Sequence, residues 1–133
     1  YVAIAPIFKN KILLISQKRF GANKIIKNIP MGILEKNELP KDAAKRELFE
    51  EIGICVYNKI LIYLGSFYIA ASFTSIKCYL YTVKCKNSIL DIGHDINEEH
   101  EFVKMEWIDI KEIESANDID MTTRLAIEMI NNR

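Results

Sequence analysis

Residues 32–54 read GILEKNELPKDAAKRELFEEIGI, and this stretch decides the fold. Pro40 to Ile52 is expected to be a helix. Pro40 suits the first helical position, where a missing N–H costs nothing. Ala44, Leu48 and Ile52 recur every four residues and make an apolar stripe. Gly53 stands where a left-handed C-terminal cap belongs. On that helix Glu47, Glu50 and Glu51 occupy positions i, i+3 and i+4. At helical pitch they fall within about 100° of arc. Like charges that close repel unless a cation compensates. Mg²⁺ suits the role: it prefers carboxylate and carbonyl oxygens, keeps several waters and bridges to substrate phosphates. Taken alone, Glu-x-x-Glu-Glu on a helix is more often a solvated acidic face than a metal site.

The whole string weighs against the solvated-face reading. Gly32, Glu38, Arg46-Glu47, Glu50-Glu51 and Gly53 keep fixed spacings, with aliphatic Leu48 and Ile54 at the remaining set positions. The pattern resembles the Nudix box, G-x5-E-x7-R-E-U-x-E-E-x-G-U with U aliphatic, and matches it throughout. Seven fixed letters at average residue usage give a chance match of about one in 10⁸ per start site. The resemblance implies a mixed α/β fold: a mixed β-sheet sandwich flanked by helices, with a loop–helix–loop catalytic motif. It implies that Glu47 and Glu51 are the principal metal ligands. Glu50 is then a further ligand or helps position water, and the backbone carbonyl of Met31 joins the metal shell. Glu38 and Arg46 would orient the helix. The implied cofactor is Mg²⁺, with Mn²⁺ as a substitute.

Flanking residues resemble the ADP-ribose pyrophosphatase group of that family. Leu14-Ile15-Ser16-Gln17-Lys18-Arg19 is similar to its L-L-x-x-Q-x-R element, and Pro30 to Glu35 to its P-A-G-x-x-E entry to the box. Glu98, Glu99 and Glu101 resemble its late acidic loop, and Asp118 to Ile130 its closing helix. The implied activity is metal-dependent hydrolysis of the pyrophosphate bond of a nucleoside diphosphate derivative, with ADP-ribose giving AMP and ribose 5-phosphate. On this reading Arg19 grips substrate, Glu99 is the general base beside Glu47, Glu50 and Glu51, and Glu101 holds another metal ion. A homodimer is also implied. Asn28 and Ile76 stand where members of the group often carry Glu, and residues 70–76 lack its Ser-Pro-Gly element. Two alternatives therefore stay open. One is a Nudix hydrolase of another nucleotide: an oxidised nucleoside triphosphate, a dinucleoside polyphosphate or a nucleotide sugar. The other is a non-catalytic nucleotide-sensing module.

The rest of the chain fits one domain of 133 residues. Lys plus Arg and Asp plus Glu number 18 each, which argues against a nucleic-acid partner and leaves a small-molecule nucleotide as the expected one. The longest apolar runs are far short of the ~20 residues of a membrane span, and a cytoplasmic location is expected. The cysteines, Cys55, Cys78 and Cys85, are odd in number and read as reduced thiols. His94 and His100 read as loop residues. Strands are expected at residues 2–8, 12–15, 25–29, 60–69, 76–83 and 102–108, with Gly65 a bulge. Gln17 to Asn23 reads as a loop. A short helix near residues 109–115 and a terminal helix at 121–130, with Met121, Leu125 and Met129 in register, complete the pattern.

Overall fold

Strand β1 (Val2–Phe8) and strand β2 (Lys11–Arg19) are apolar on both faces, and this sets the layers. Side chains alternate across a strand. Val2, Ile4, Leu13 and Ile15 enter one core cluster, while Ala3, Ala5, Ile12 and Leu14 enter another. A sheet buried on both faces needs helices on both. Helix α1 (Pro40–Ile52) brings Ala43, Ala44, Leu48 and Ile52 to the first cluster. Helices α2 (Ile110–Ile113) and α3 (Met121–Asn131) bring Ile113, Ala126 and Ile127 to the second. The result is the mixed α/β sandwich expected from the sequence.

The structure, a computed structural model, describes residues 1–53, 61–86 and 102–133. The remaining strands are β3 (Lys24–Asn28), β4 (Met31–Gly32), β5 (Leu61–Tyr68), β6 (Lys77–Lys84) and β7 (Phe102–Asp109). The sheet runs β3-β2-β1-β6-β5, with β4 paired to β1 and β7 to β2. Strands β1 and β6 run parallel, and the other described strand pairs are antiparallel. Register shifts between Tyr63 and Gly65, and Gly65 has φ 148°, so the expected bulge is present.

Three strand ends meet at one edge of this sandwich. Strand β6 is parallel to β1 with Val2 opposite Tyr79, so both begin at the same end. Strand β2 is antiparallel to β1 and finishes there, at Arg19. Strand β4 closes the group, with Ala3 opposite Met31 and Val2 opposite Gly32. Helix α1 lies over this end, stopped by Gly53 at φ 71°, whose N–H donates to the carbonyls of Leu48 and Phe49.

Two expectations need correction. Gln17 to Arg19 continue β2 rather than opening a loop, because Arg19 pairs with Lys24 and Gln17 with Ile26. The buried face of α3 carries Thr122, Thr123, Ala126 and Ile127, while Met121 is 59% exposed. Two hydroxyls turn the helix: Thr122 Oγ1 bonds Tyr1 Oη at 3.0 Å, and Thr123 Oγ1 accepts from the Ile29 amide at 2.9 Å. Satisfied in this way, threonine is accommodated in the core.

Candidate active site

A cleft of about 870 Å³ opens where these strand ends face α1. Arg19, Met31, Gly32, Glu47, Glu51 and Lys77 are among the residues lining it. Glu47 and Glu51 are one helical turn apart and only 8% and 7% exposed. Burial pushes the Glu51 carboxyl up to about 8, and the neighbouring charge of Glu47 adds to the effect; the Met31 amide, which hydrogen-bonds it, and Arg19 act the other way. Gly32 is seated directly on Glu47. A Cβ there would collide with the Glu47 carboxylate, so any other residue would have to displace that carboxylate from its place.

Arg46 ties the loop before α1 to the helix. Its Nε and Nη2 donate to the two oxygens of Glu38, each at 2.9 Å, a bidentate pair. Nη2 also donates to the Ile33 carbonyl at 3.0 Å. Nη1 donates to Glu47 Oε1 at 2.8 Å and Glu50 Oε2 at 3.1 Å. Glu38 accepts in turn from the Glu35 amide at 3.0 Å. These bonds hold the Glu38 carboxyl down at about 2, Arg46 contributing most. Arg46 itself is raised by its bonds to Glu38.

Arg19 is held from behind by amides. Its Nη2 donates to Gln17 Oε1 at 2.9 Å and Asn28 Oδ1 at 3.1 Å. Asn28, 1% exposed, donates through Nδ2 to Gln17 Oε1 at 3.1 Å and to the Ile29 carbonyl at 3.0 Å. The Ile29 bond fixes which way the Asn28 amide faces, so Oδ1 must point at Arg19.

The residues singled out from the sequence are thus partly brought together. Arg19, Met31, Glu47 and Glu51 share the cleft. The Glu50 side chain is 53% exposed, is bonded to Arg46, and is not among the residues lining the cleft. Glu98, Glu99 and Glu101, with His94, His100 and Cys55, lie outside the described residues. Cys78 is a buried free thiol. The sequence marked Gln17 and Asn28 only through the family elements they match or depart from, not as supports of Arg19, and Lys77 was not anticipated. Extending the alternation of Leu13 and Ile15 by two more steps reaches Gln17 and Arg19, and that signal was legible. Lys77 carried none.

Among the described residues, no group of three or more His, Cys, Asp or Glu side chains could hold a metal by itself. The donor set nevertheless suits a hard divalent cation. Two buried carboxylates raise each other's charge cost, a main-chain strand faces them, and Mg²⁺ needs few protein ligands because it keeps its waters.

Fold and box together place the chain in the Nudix family: residues 1–127 match the NUDIX domain. Among known proteins it is similar to the ADP-ribose pyrophosphatase of Bacillus subtilis (strain 168). The two are 29% identical over 126 residues, covering 92% of this chain and 66% of that protein. It is also similar to the methanol dehydrogenase activator of Bacillus methanolicus, 40% identical over 82 residues, 61% of this chain and 43% of the relative. The chain therefore spans just under two thirds of the first relative and less than half of the second. Its fold matches the crystal structure of an ADP compounds hydrolase at a TM-score of 0.75 and 19% identity, covering 98% of this chain and 70% of that one. A Nudix hydrolase from Nitrosomonas europaea matches at a TM-score of 0.72 and 23% identity, with 98% and 88% covered. At these identities the structural matches speak for the fold. No described helix is long and apolar enough to cross a membrane.

Proposed function

We propose that this chain is a Mg²⁺-dependent pyrophosphohydrolase of a nucleoside diphosphate derivative, with ADP-ribose as its first substrate. The observation that carries the reading is the pair of buried carboxylates, Glu47 and Glu51, lining one cleft with Arg19. Glu47, Glu51 and the Met31 carbonyl would hold the metal, with Mn²⁺ as a substitute. The metal supplies positive charge that polarises the phosphoryl oxygens and the attacking water. Arg46 keeps Glu47 oriented, and Arg19 grips a substrate phosphate through a guanidinium already held by Gln17 and Asn28. Water attack at one phosphorus gives two monophosphates, AMP and ribose 5-phosphate from ADP-ribose, with Glu50 and Glu99 as the candidates for proton acceptance. Such a site works by positioning and electrostatics, with no covalent intermediate.

The similarity to ADP-ribose pyrophosphatase supports the choice of substrate. The uncharged Asn28 and Ile76 favour keeping a second reading within the family: an oxidised nucleoside triphosphate, a dinucleoside polyphosphate or a nucleotide sugar. A kcat/KM panel across these and ADP-ribose, with products identified, tests the assignment. ADP-ribose should lead the panel, and a tenfold preference for any other substrate would displace it. A homodimer in the cytoplasm completes the proposal.

A further inference from the structure

Lys77 opens β6 at the end of the sheet where the cleft lies. Cys78 and Leu80 point to the α3 side, while Tyr79, Tyr81 and Val83 point to the α1 side. Strand alternation puts Lys77 in phase with the second set, on the face that carries Glu47 and Glu51. Its Nζ stands 5.6 Å from the ring centroid of Tyr68 and 5.3 Å from that of Tyr79. Two rings hold a cation in place without neutralising it. No carboxylate pairs with Lys77 among the described residues, whereas Lys24, Lys27 and Lys104 all have acidic partners.

Arg19 lines the same cleft from the other side of β1. It ends β2, which pairs with β1 only at Ile7 and Phe8; at the cleft end β4 takes the place beside β1, so β1 and β4 both stand between the two cations. Arg19 is likewise tethered to neutral oxygens, those of Gln17 and Asn28. Arg19 also feels the charges of Glu51 and Asp120, whereas the Lys77 head is restrained by two neutral rings and no described carboxylate pairs with it.

We infer that Lys77 is a second substrate-phosphate contact, bracketing the phosphates from the side opposite Arg19. The inference rests on the pyrophosphohydrolase reading and adds a binding residue to it. A point charge on a stem lined by aromatic rings suits a phosphate oxygen, which accepts from an ammonium at any of several angles. Lys77 touches substrate and leaves chemistry to the carboxylates, so its loss belongs in binding.

The test is calorimetric binding of inorganic pyrophosphate with Mg²⁺ to the wild type, Lys77→Met and Lys77→Arg. Kinetics with ADP-ribose run beside it. Met keeps the stem and its contact with the rings, so the folded state is preserved, and equal unfolding midpoints confirm this. Lys77→Met should weaken pyrophosphate binding by about tenfold and raise KM comparably, with kcat changed less than about threefold. Lys77→Arg should recover most of the affinity. Unchanged pyrophosphate affinity in Lys77→Met overturns the inference, whichever nucleotide is the substrate. Failure of the wild type to hydrolyse ADP-ribose, with the affinity difference intact, displaces only the substrate choice. No pyrophosphate binding by the wild type overturns both.

Discussion

Gly32 and Glu47 approach so closely that a methyl group on residue 32 would occupy the space of the Glu47 carboxylate. The place of the Glu47 carboxylate beside β4 depends on the absence of one side chain. Gly32→Ala must therefore push Glu47 aside or force β4 away from α1. The colliding atoms are the end of a side chain that can swing away, so the cost in stability should stay at about 1 kcal/mol or less. The larger effect falls on activity, since misplacing a reacting group by about 1 Å can lower turnover on the order of 10²-fold. Urea unfolding and kcat measured on the same preparation check both. A Gly32→Ala protein with wild-type turnover would mean that Glu47 does not need its observed position.

The Glu38–Arg46 pair carries a pH signature. The folded-state pKa of Glu38, about 2, lies below the ordinary carboxylate value of 4.5. Its contribution to stability is then fully present above 4.5 and is lost as pH falls through 2. Glu38→Gln should lower the urea midpoint at pH 7, and the gap to wild type should narrow steadily between pH 4.5 and 2. A gap that stays constant across that range would show that the pair's ionic character is not what holds the loop.

Asn28 holds Arg19 and at the same time satisfies the Ile29 carbonyl. Asn28→Ala removes three hydrogen bonds made by a buried side chain. Stability should fall by about 1–3 kcal/mol, the usual cost of leaving buried polar groups unpaired. Arg19 is left with Gln17 alone, so KM should rise several-fold while kcat changes less. Equal falls in kcat and kcat/KM, with KM unmoved, would place Arg19 in the chemical step instead.

Leu48 lies on the face of α1 neighbouring the cleft carboxylates, roughly 60–100° round the helix from them, and is fully buried. Leu48→Ala should cost about 2–5 kcal/mol. In thermal denaturation this appears as a clear drop in Tm. Below that transition, metal-dependent turnover should survive, because the Arg46 bonds to Glu38 and Ile33 still anchor the helix.

The helix that presents the site was legible to the residue. Pro40, the Ala44-Leu48-Ile52 stripe and Gly53 are local signals, and α1 runs from Pro40 to Ile52. What escaped was polar structure whose partners are distant in sequence. Gln17 and Arg19 looked like a loop because the far end of β2 faces a cleft rather than the core, so its apolar alternation stops while its pairing with β3 continues. Thr122 and Thr123 disguised the buried face of α3, since their hydroxyls meet Tyr1 and Ile29 about ninety or more positions away. Helix spacing placed Glu50 with Glu47 and Glu51, yet Arg46 draws it to the exposed margin, a choice made by the side chain rather than by helical pitch. Lys77 had no motif at all. It joins the cleft only because β6 runs parallel to β1 and starts at the same end.

The central claim is that Glu47 and Glu51 hold the metal that drives pyrophosphate cleavage. The most direct measurement is release of AMP from ADP-ribose by wild type and Glu51→Gln, each with and without Mg²⁺. Glu51→Gln removes a buried carboxylate without changing its shape, so the fold should persist. The account predicts that wild type releases AMP and ribose 5-phosphate only with Mg²⁺, and that Glu51→Gln loses on the order of 10²–10³-fold in kcat. A folded Glu51→Gln enzyme with wild-type turnover, or wild-type turnover undiminished by complete removal of divalent metal, would contradict it.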